Sequence, residues 1–215
     1  MTLFDEPDQV SKRELIYAAS VFPKGSLRFS DDSAREIAYK NFGGGGGGWD
    51  YTDLPKRLAD VYKGTDRSTA ISSARALPGK GEGSAKAFIL EKVFLKFDPS
   101  EWSAVTREHS ILERDEFEIP ISNDIYLRRA SKVISLFIVP YSQENLSEDQ
   151  EKRLLQLLGS LPHCREITTA WLFCAPEQAG HRQIRASSIE PDYFDIEETL
   201  DIIITFKNFV LQARR

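Results

Sequence analysis

Apolar residues are concentrated between Val133 and Val139, where Ser135 is the one polar position. Lys132 precedes this run and Pro140 follows it. Apolar side chains at both odd and even positions, in a run too short for a typical helix, are characteristic of a strand buried on both faces. The pattern therefore predicts a central strand at 133–139, around which the rest of the chain is organised.

Four helices are predicted in the first third of the chain. Ser11 is followed three residues later by Glu14, which is capping-box spacing, and a helical apolar stripe comes next. Ser30 is in position to begin a second helix, and Thr52 or Asp53 a third. The apolar stripes of the four helices fall at about 11–22, 30–42, 53–63 and 67–77.

Strands are predicted for most of the chain after residue 85. Large apolar residues make 88–97 a predicted strand, with Ile89, Val93, Leu95 and Phe97 on one face. Helix is left open for 86–97. Alternating apolar and polar residues predict a strand at 117–121, and Pro120 favours an edge position for it. A further strand is predicted at 125–127. The β-branched residues of 197–211 favour a strand, with helix again as the alternative.

The segment after the central strand contains a second capping box and a predicted hairpin. Ser147 and Gln150 have capping-box spacing, and the leucines that follow predict a helix to about 158. Segments 165–174 and 182–189 are predicted to pair as a β-hairpin.

These elements predict an α+β fold. A helical N-terminal third packs on a mostly antiparallel sheet, and one well-capped helix at about 147–158 crosses that sheet. We expect a single domain over 1–215, with a helical lobe at about 10–78 and a sheet-rich part at about 85–215. Glycine-rich segments at 43–48 and 78–84 predict flexible loops, the first either native or a replacement for a surface loop.

Composition describes an ordinary globular protein and limits its partners. Of 215 residues, 41% are hydrophobic and 28% charged, and the formal net charge of −5 disfavours a general nucleic-acid binder. No apolar stretch reaches the length of a membrane span, and residues 1–6 do not resemble a signal peptide. Two cysteines ten positions apart, without a CxxC motif, are typical of free thiols. We expect a cytoplasmic protein.

The sequence contains no recognised catalytic, cofactor or metal signature. The three histidines have no metal-ligand spacing, and His181 could approach Cys174 across the hairpin loop only as a minor alternative. Paired carboxylates at Glu116 and Glu118, with Asp124 nearby, could hold a divalent ion. We therefore predict no catalytic residue, no metal ligand and no cofactor. The sequence disfavours an enzyme.

Candidate binding residues occur in two places, the predicted hairpin and a basic patch before the central strand. A hairpin loop at 175–181 would place Trp171 opposite Arg185, with Arg182 nearby, which resembles a platform for stacking bases. An apolar core position for Trp171 is favoured over this platform. Arg128 and Arg129 form a basic patch just before the central strand.

The function predicted from these observations is a non-enzymatic protein-interaction or structural domain that acts as a component of a larger assembly. A protein partner or a homo-oligomer is expected. The alternatives are a metal-dependent hydrolase or nuclease that uses the acidic segment 113–124, and a single-stranded nucleic-acid-binding module that uses the hairpin at 165–189.

Overall fold

The architecture is known from a computed structural model of the chain. It describes residues 8–44, 51–78, 81–106, 110–114, 116–121, 123–140, 146–159, 167–174, 177–178, 181–182, 184–190 and 196–215. The expectation of a flexible glycine run at 43–48 lies outside these ranges from Gly45 onward.

The described residues form helices and strands in the following order. The helices are α1 (Lys12–Ser20), α2 (Asp31–Phe42), α3 (Leu54–Tyr62), α4 (Arg67–Arg75), α5 (Glu82–Lys96), α6 (Glu148–Gly159) and α7 (Glu197–Ala213). The strands are β1 (Asp8–Gln9), β2 (Ser103–Val105), β3 (Ser110–Arg114), β4 (Phe117–Ile121), β5 (Ile125–Arg129), β6 (Lys132–Val139), β7 (Thr169–Cys174), β8 (Glu177–Gln178), β9 (His181–Arg182) and β10 (Arg185–Ile189).

The principal sheet has five strands in the order β10-β7-β6-β5-β2. Every neighbouring pair is antiparallel except β6 and β7, which are parallel and are connected through α6. A smaller sheet has the order β1-β4-β3, and β8 pairs with β9. The predicted α+β class and the mostly antiparallel sheet are confirmed.

The predicted central strand is confirmed as β6, and its two faces line two separate cores. Val133, Phe137 and Val139 contribute to one core, together with α1, α2, α6 and α7. Ile134, Leu136 and Ile138 contribute to the other core, together with α3, α4 and α5. Helices of the predicted N-terminal lobe are thus found on both faces of the sheet.

The two capping boxes are confirmed. Ser11 accepts a hydrogen bond from the backbone of Glu14, whose carboxylate accepts one from the Ser11 backbone. At α6, Ser147 N donates to Gln150 Oε1 at 2.9 Å, and Gln150 N donates to Ser147 Oγ at 3.4 Å. These reciprocal bonds satisfy amides that the first helical turn leaves open.

The strand predicted at 88–97 was wrong, because this segment belongs to α5. Ile89 and Val93, which alternation placed on one strand face, are four residues apart and so also share a helix face. Leu90 and Phe94 extend the same buried stripe. Leu95, expected beside them, is 73% exposed. The helical period therefore accounts for the burial of this segment, and alternation does not.

The strand predicted near the C-terminus was also wrong, and the helical alternative is correct. Ile203, Phe206 and Val210 lie at helical spacing and are buried in α7. On the same helix Lys207 is 3% exposed and donates to Gln9 O at 2.8 Å and to Glu14 at 3.3 Å. Packing and this buried ion pair override the intrinsic strand preference of the β-branched residues.

The strand predicted around Pro120 is confirmed as β4, although it is not at an edge. It lies between β1 and β3, and Pro120 pairs with Ile111 of β3. On its other side β1 reaches only Phe117 and Glu118, so the missing amide of Pro120 interrupts no pairing there. None of the described helices is long and apolar enough to cross a membrane.

A close backbone approach joins α4 and α5. Gly81 has a φ of 86° at the N-cap of α5, and Gly83 follows inside the helix, within the segment expected to be flexible. A Cβ at Gly83 would lie 2.6 Å from Ala74 O and 2.9 Å from Arg75 O. Only glycine fits between these two carbonyl oxygens without moving backbone.

Substitution of Gly83 tests this contact. Glycine to alanine in a helix normally stabilises, yet we expect Gly83→Ala to lower the free energy of unfolding by about 1–3 kcal/mol through overpacking. Ser84→Ala, at the exposed neighbouring position, is the matched control and should change little. Urea denaturation measures both, and a stabilised Gly83→Ala variant would contradict the close approach.

Candidate interaction groove

An open groove lies between α5 and the edge strand β10. Its volume is about 480 Å³. It is lined by apolar residues of the helix and sheet and by two lysines: Phe88, Lys92, Leu95, Lys96, Phe173, Ile184 and Ala186. We call this surface the lysine groove.

Helical spacing on α5 creates one wall of the lysine groove. Phe88, Lys92 and Leu95 recur at intervals of four and three residues, so they share a face. That face points away from the stripe of α5 that is buried against the sheet. Leu95 is 73% exposed, which is unusual for a leucine beside an apolar groove.

The sheet supplies the other wall. Ala186 pairs with Phe173 across β10 and β7, and Phe173 is buried in the core beneath α5. β10 is the last strand of the principal sheet, and no strand of the described ranges pairs with its outer edge. Within the described ranges, the lysine groove is therefore bordered by backbone groups that no strand pairs with, as well as by side chains.

The two lysines carry positive charge without a carboxylate partner in the described part of the chain. Lys96 Nζ lies 4.8 Å from the ring centroid of Trp171, and Lys92 Nζ lies 5.3 Å from that of Phe88. By contrast, the neighbouring Glu91 is paired with Arg75 at 2.5 Å. No carboxylate of the described residues would therefore compete with an acidic ligand for either ammonium group.

Trp171, predicted as a binding residue, lies next to the lysine groove. Its ring is covered by Lys96 and packs edge-on against Phe97, with ring centroids 5.5 Å apart. The indole Nε1 is buried and has no hydrogen-bond partner among the described residues. Trp171 therefore packs beside the lysine groove, and its ring already contacts Lys96 and Phe97.

The predicted pairing of Trp171 with Arg185 was wrong. In the hairpin Arg185 is opposite Cys174, and Trp171 is opposite Ser188. This register differs from the predicted one by an odd number of residues, which moves a side chain to the other face of the sheet. Trp171 and Arg185 therefore point to opposite faces.

Arg185 contacts α6. Its Nη2 donates to Glu151 Oε1 and to Leu146 O, each at 2.5 Å. Ser187 Oγ donates to the other Glu151 oxygen, and the Glu151 side chain is only 6% exposed. Arg185 therefore neutralises a buried carboxylate and joins β10 to α6.

Cys174 lies in the same environment and is a poor nucleophile. Burial raises the pKa of its thiol well above the ordinary value, and the negative charge of Glu151 raises it further. The suggested contact with His181 falls on a side chain outside the described set.

Two of the remaining predicted binding residues, Arg128 and Arg129, lie away from the lysine groove. Arg128 and Arg129 are exposed at the end of β5, and Arg129 pairs with Glu101 at 2.8 Å. β5 is separated from β10 by two strands. Arg182 belongs to β9, and its side chain is outside the described set.

The carboxylates of the predicted acidic cluster bond to different partners. Glu118 is on β4 and accepts a hydrogen bond from Gln9. Asp124 precedes β5 and forms an ion pair with Lys12. Within the described residues, no group of three or more histidine, cysteine, aspartate or glutamate side chains could hold a metal ion.

Sequence reasoning missed Lys92, Leu95 and Lys96 because it assigned their segment to a strand. The signal was present in the spacing, since Phe88, Lys92 and Leu95 share a face only in a helix. The open side of β10 could not be inferred, because it depends on the order of strands that are distant in sequence.

Comparisons with known proteins are sparse. No protein-family model matches the chain, and no curated protein matches it. Among solved structures, one described as the crystal structure of SSO0001 is similar at 14% sequence identity and a TM-score of 0.33. The similarity covers 84% of this chain and 85% of that chain. A likeness at this level carries no statement about function.

Replacement of Arg185 tests whether it supports the fold. Arg185→Ala leaves the buried Glu151 carboxylate without its cation, so we expect the free energy of unfolding to fall by about 2 kcal/mol. Arg129→Ala is the matched control, because its pair with Glu101 is exposed and should contribute less than about 0.5 kcal/mol. If urea denaturation shows the same loss of unfolding free energy for both variants, the buried Glu151 carboxylate is not stabilised by Arg185.

Proposed function

We propose that this chain is a non-enzymatic protein-interaction domain, a component of a larger assembly, that holds an acidic and apolar segment of a partner protein in the lysine groove. The observation that carries the proposal is Leu95, 73% exposed between Lys92 and Lys96 in an otherwise apolar groove. Contiguous exposed apolar surface next to fixed charge is characteristic of interaction sites.

Burial of the apolar wall supplies the affinity. Covering Phe88, Leu95 and Ile184 removes apolar surface from water, which stabilises a complex by about 25 cal/mol per Å² before the costs of association. The methylene stems of Lys92 and Lys96 add to this apolar surface.

Charge complementarity supplies the specificity. The whole chain has a formal net charge of −5, so the lysine groove is a local basic site on an acidic molecule. Carboxylates of a partner would meet Lys92 and Lys96 and would face a net negative charge over the rest of the chain, which favours one orientation of docking.

The open edge of β10 favours an extended partner segment. Such a segment would form main-chain hydrogen bonds with β10, as in β-strand addition. Its alternate side chains would point to the face that carries Ala186 and so enter the lysine groove. We therefore expect a partner strand in which acidic and apolar residues face the groove at every second position.

Contacts within the hairpin favour a protein partner over a nucleic acid. Base stacking needs an open aromatic face, and Lys96 and Phe97 already contact the ring of Trp171. Arg185 lies on the other face of the sheet and is held by Glu151.

Selection from a random-peptide phage library tests the proposal. Wild-type protein should enrich peptides that combine aspartate or glutamate with large apolar residues. Synthetic versions of these peptides should bind at least tenfold more weakly to Lys92→Glu/Lys96→Glu and to Leu95→Ser, because the first variant reverses the groove's charge and the second removes its exposed apolar side chain.

The matched control is Leu27→Ser, since Leu27 is another exposed leucine, at 65%, and lies outside the groove. It should bind like wild type. Enrichment of basic peptides, equal losses in Leu27→Ser and Leu95→Ser, or displacement of the peptide by a single-stranded oligonucleotide would contradict a groove for acidic protein segments.

A further inference from the structure

We propose that a second cleft, distant in sequence from the lysine groove, binds the phosphoryl group of a small phosphorylated sugar and one of that sugar's hydroxyls. The cleft has a volume of about 400 Å³, within the usual range for small-molecule sites. Residues from the start of α1, the start of α3 and the start of β5 line it, and those used below are Lys12, Arg13, Thr52, Pro55, Asn123 and Asp124. We call it the α1–α3 cleft.

Lys12, a cation that lines the α1–α3 cleft, is fixed in place and has one donor that Asp124 does not use. Its Nζ also lies 4.5 Å from the centroid of the Phe137 ring. Lys12 Nζ donates to both oxygens of Asp124, at 2.5 and 2.6 Å. Asp124 also accepts from the backbone of Ile138 at 2.6 Å, and its side chain is only 4% exposed. An ammonium group has three donors, so one remains, and the Lys12 side chain is 39% exposed.

Arg13 supplies a second cation. Its guanidinium lies over the rings of Tyr17 and Phe42, at 5.7 and 5.0 Å from their centroids, and donates to Asn41 O at 3.2 Å. The Nε donor is buried and has no partner among the described residues. Lys12 and Arg13 together exceed the charge of Asp124 by one, which favours an anion in the α1–α3 cleft.

The beginning of α3 adds the positive end of a helix dipole. Asp53 occupies the N-cap position but makes no capping bond. Its carboxylate instead accepts from Arg57 at 2.5 Å and pairs with Lys86 at 2.7 Å. The first turn of α3, which borders the α1–α3 cleft through Thr52 and Pro55, therefore keeps the positive partial charge of an uncapped helix start.

Asn123 indicates a ligand that also carries a hydroxyl. This residue is 5% exposed and lines the α1–α3 cleft. Its Nδ2 donates to the Tyr126 hydroxyl at 3.2 Å, whereas its Oδ1 is a buried acceptor without a partner among the described residues. Buried polar atoms are nearly always hydrogen-bonded, so an acceptor of this kind beside a cleft fits a donor on a ligand.

The combination determines the class of ligand. Arg13 Nε and the Lys12 ammonium suit phosphoryl oxygens, since charge-assisted bonds to anions are the stronger kind. Asn123 Oδ1 suits a hydroxyl. A phosphorylated sugar carries both groups in one small molecule, whereas inorganic phosphate satisfies only the cations and a neutral sugar only Asn123.

Isothermal titration calorimetry of the full chain with ribose 5-phosphate, inorganic phosphate and ribose tests the assignment. We expect ribose 5-phosphate to bind at least tenfold more tightly than phosphate, and ribose to give no binding heat. Asn123→Asp keeps the shape of the side chain but adds a negative charge to the α1–α3 cleft, so it should weaken ribose 5-phosphate binding at least tenfold.

Asn208→Asp makes the same change of net charge at an exposed position of α7 and is the matched control. It should bind like wild type. The proposal is overturned if wild type binds neither phosphate nor ribose 5-phosphate, if the two bind equally, or if the two aspartate variants are indistinguishable. Thermal unfolding of both variants establishes that any loss of binding occurs in folded protein.

Discussion

Burial of both faces of β6 determines where the other layers of the fold lie. Successive residues of this strand, such as Phe137 and Ile138, belong to different cores, and both are almost completely buried. A strand in this position needs helices on each side, because an uncovered face would expose a row of apolar side chains to water. Helices α1, α2, α6 and α7 cover one face, and α3, α4 and α5 cover the other.

The same arrangement explains why function is expected at the margins of the sheet. The centre of the sheet is occupied by packing, and the polar Ser135 within it is fully buried. Helix α5 covers its face as far as β7 and turns Leu95 outward beside β10, which produces the lysine groove. The α1–α3 cleft forms where two helices begin next to the ends of β5 and β6. Both proposed sites therefore lie where helices no longer cover the sheet.

The sequence predicts the elements whose signals are local. Ser11 with Glu14, and Ser147 with Gln150, identify two helix starts because capping depends on neighbouring residues. β6 is identified by its continuous apolar run. The segments at 88–97 and 197–211 were ambiguous because short apolar stretches satisfy both helical and alternating patterns, and only packing against distant elements decides between them.

The candidate sites depend on contacts that a single sequence does not contain. Lys12 and Asp124 are separated by 112 positions and meet only in the folded chain. The register of the hairpin depends on the length of the connection between its strands, which the sequence predicted incorrectly. The predicted register therefore placed Arg185 opposite Trp171, whereas in the structure Arg185 contacts Glu151. Glu118 and Asp124 are close in sequence, yet Glu118 lies in the smaller sheet and Asp124 lies next to β5 of the principal sheet.

Hydrogen–deuterium exchange of the whole chain tests the central claim most directly, namely that a partner segment docks beside β10 and α5. Exchange is compared with and without a bound acidic, apolar peptide. The account predicts new protection in 88–96 and 185–189, with exchange of β5 at 125–129 unchanged. Protection confined to 125–129, or to the segment around Leu27, would contradict it.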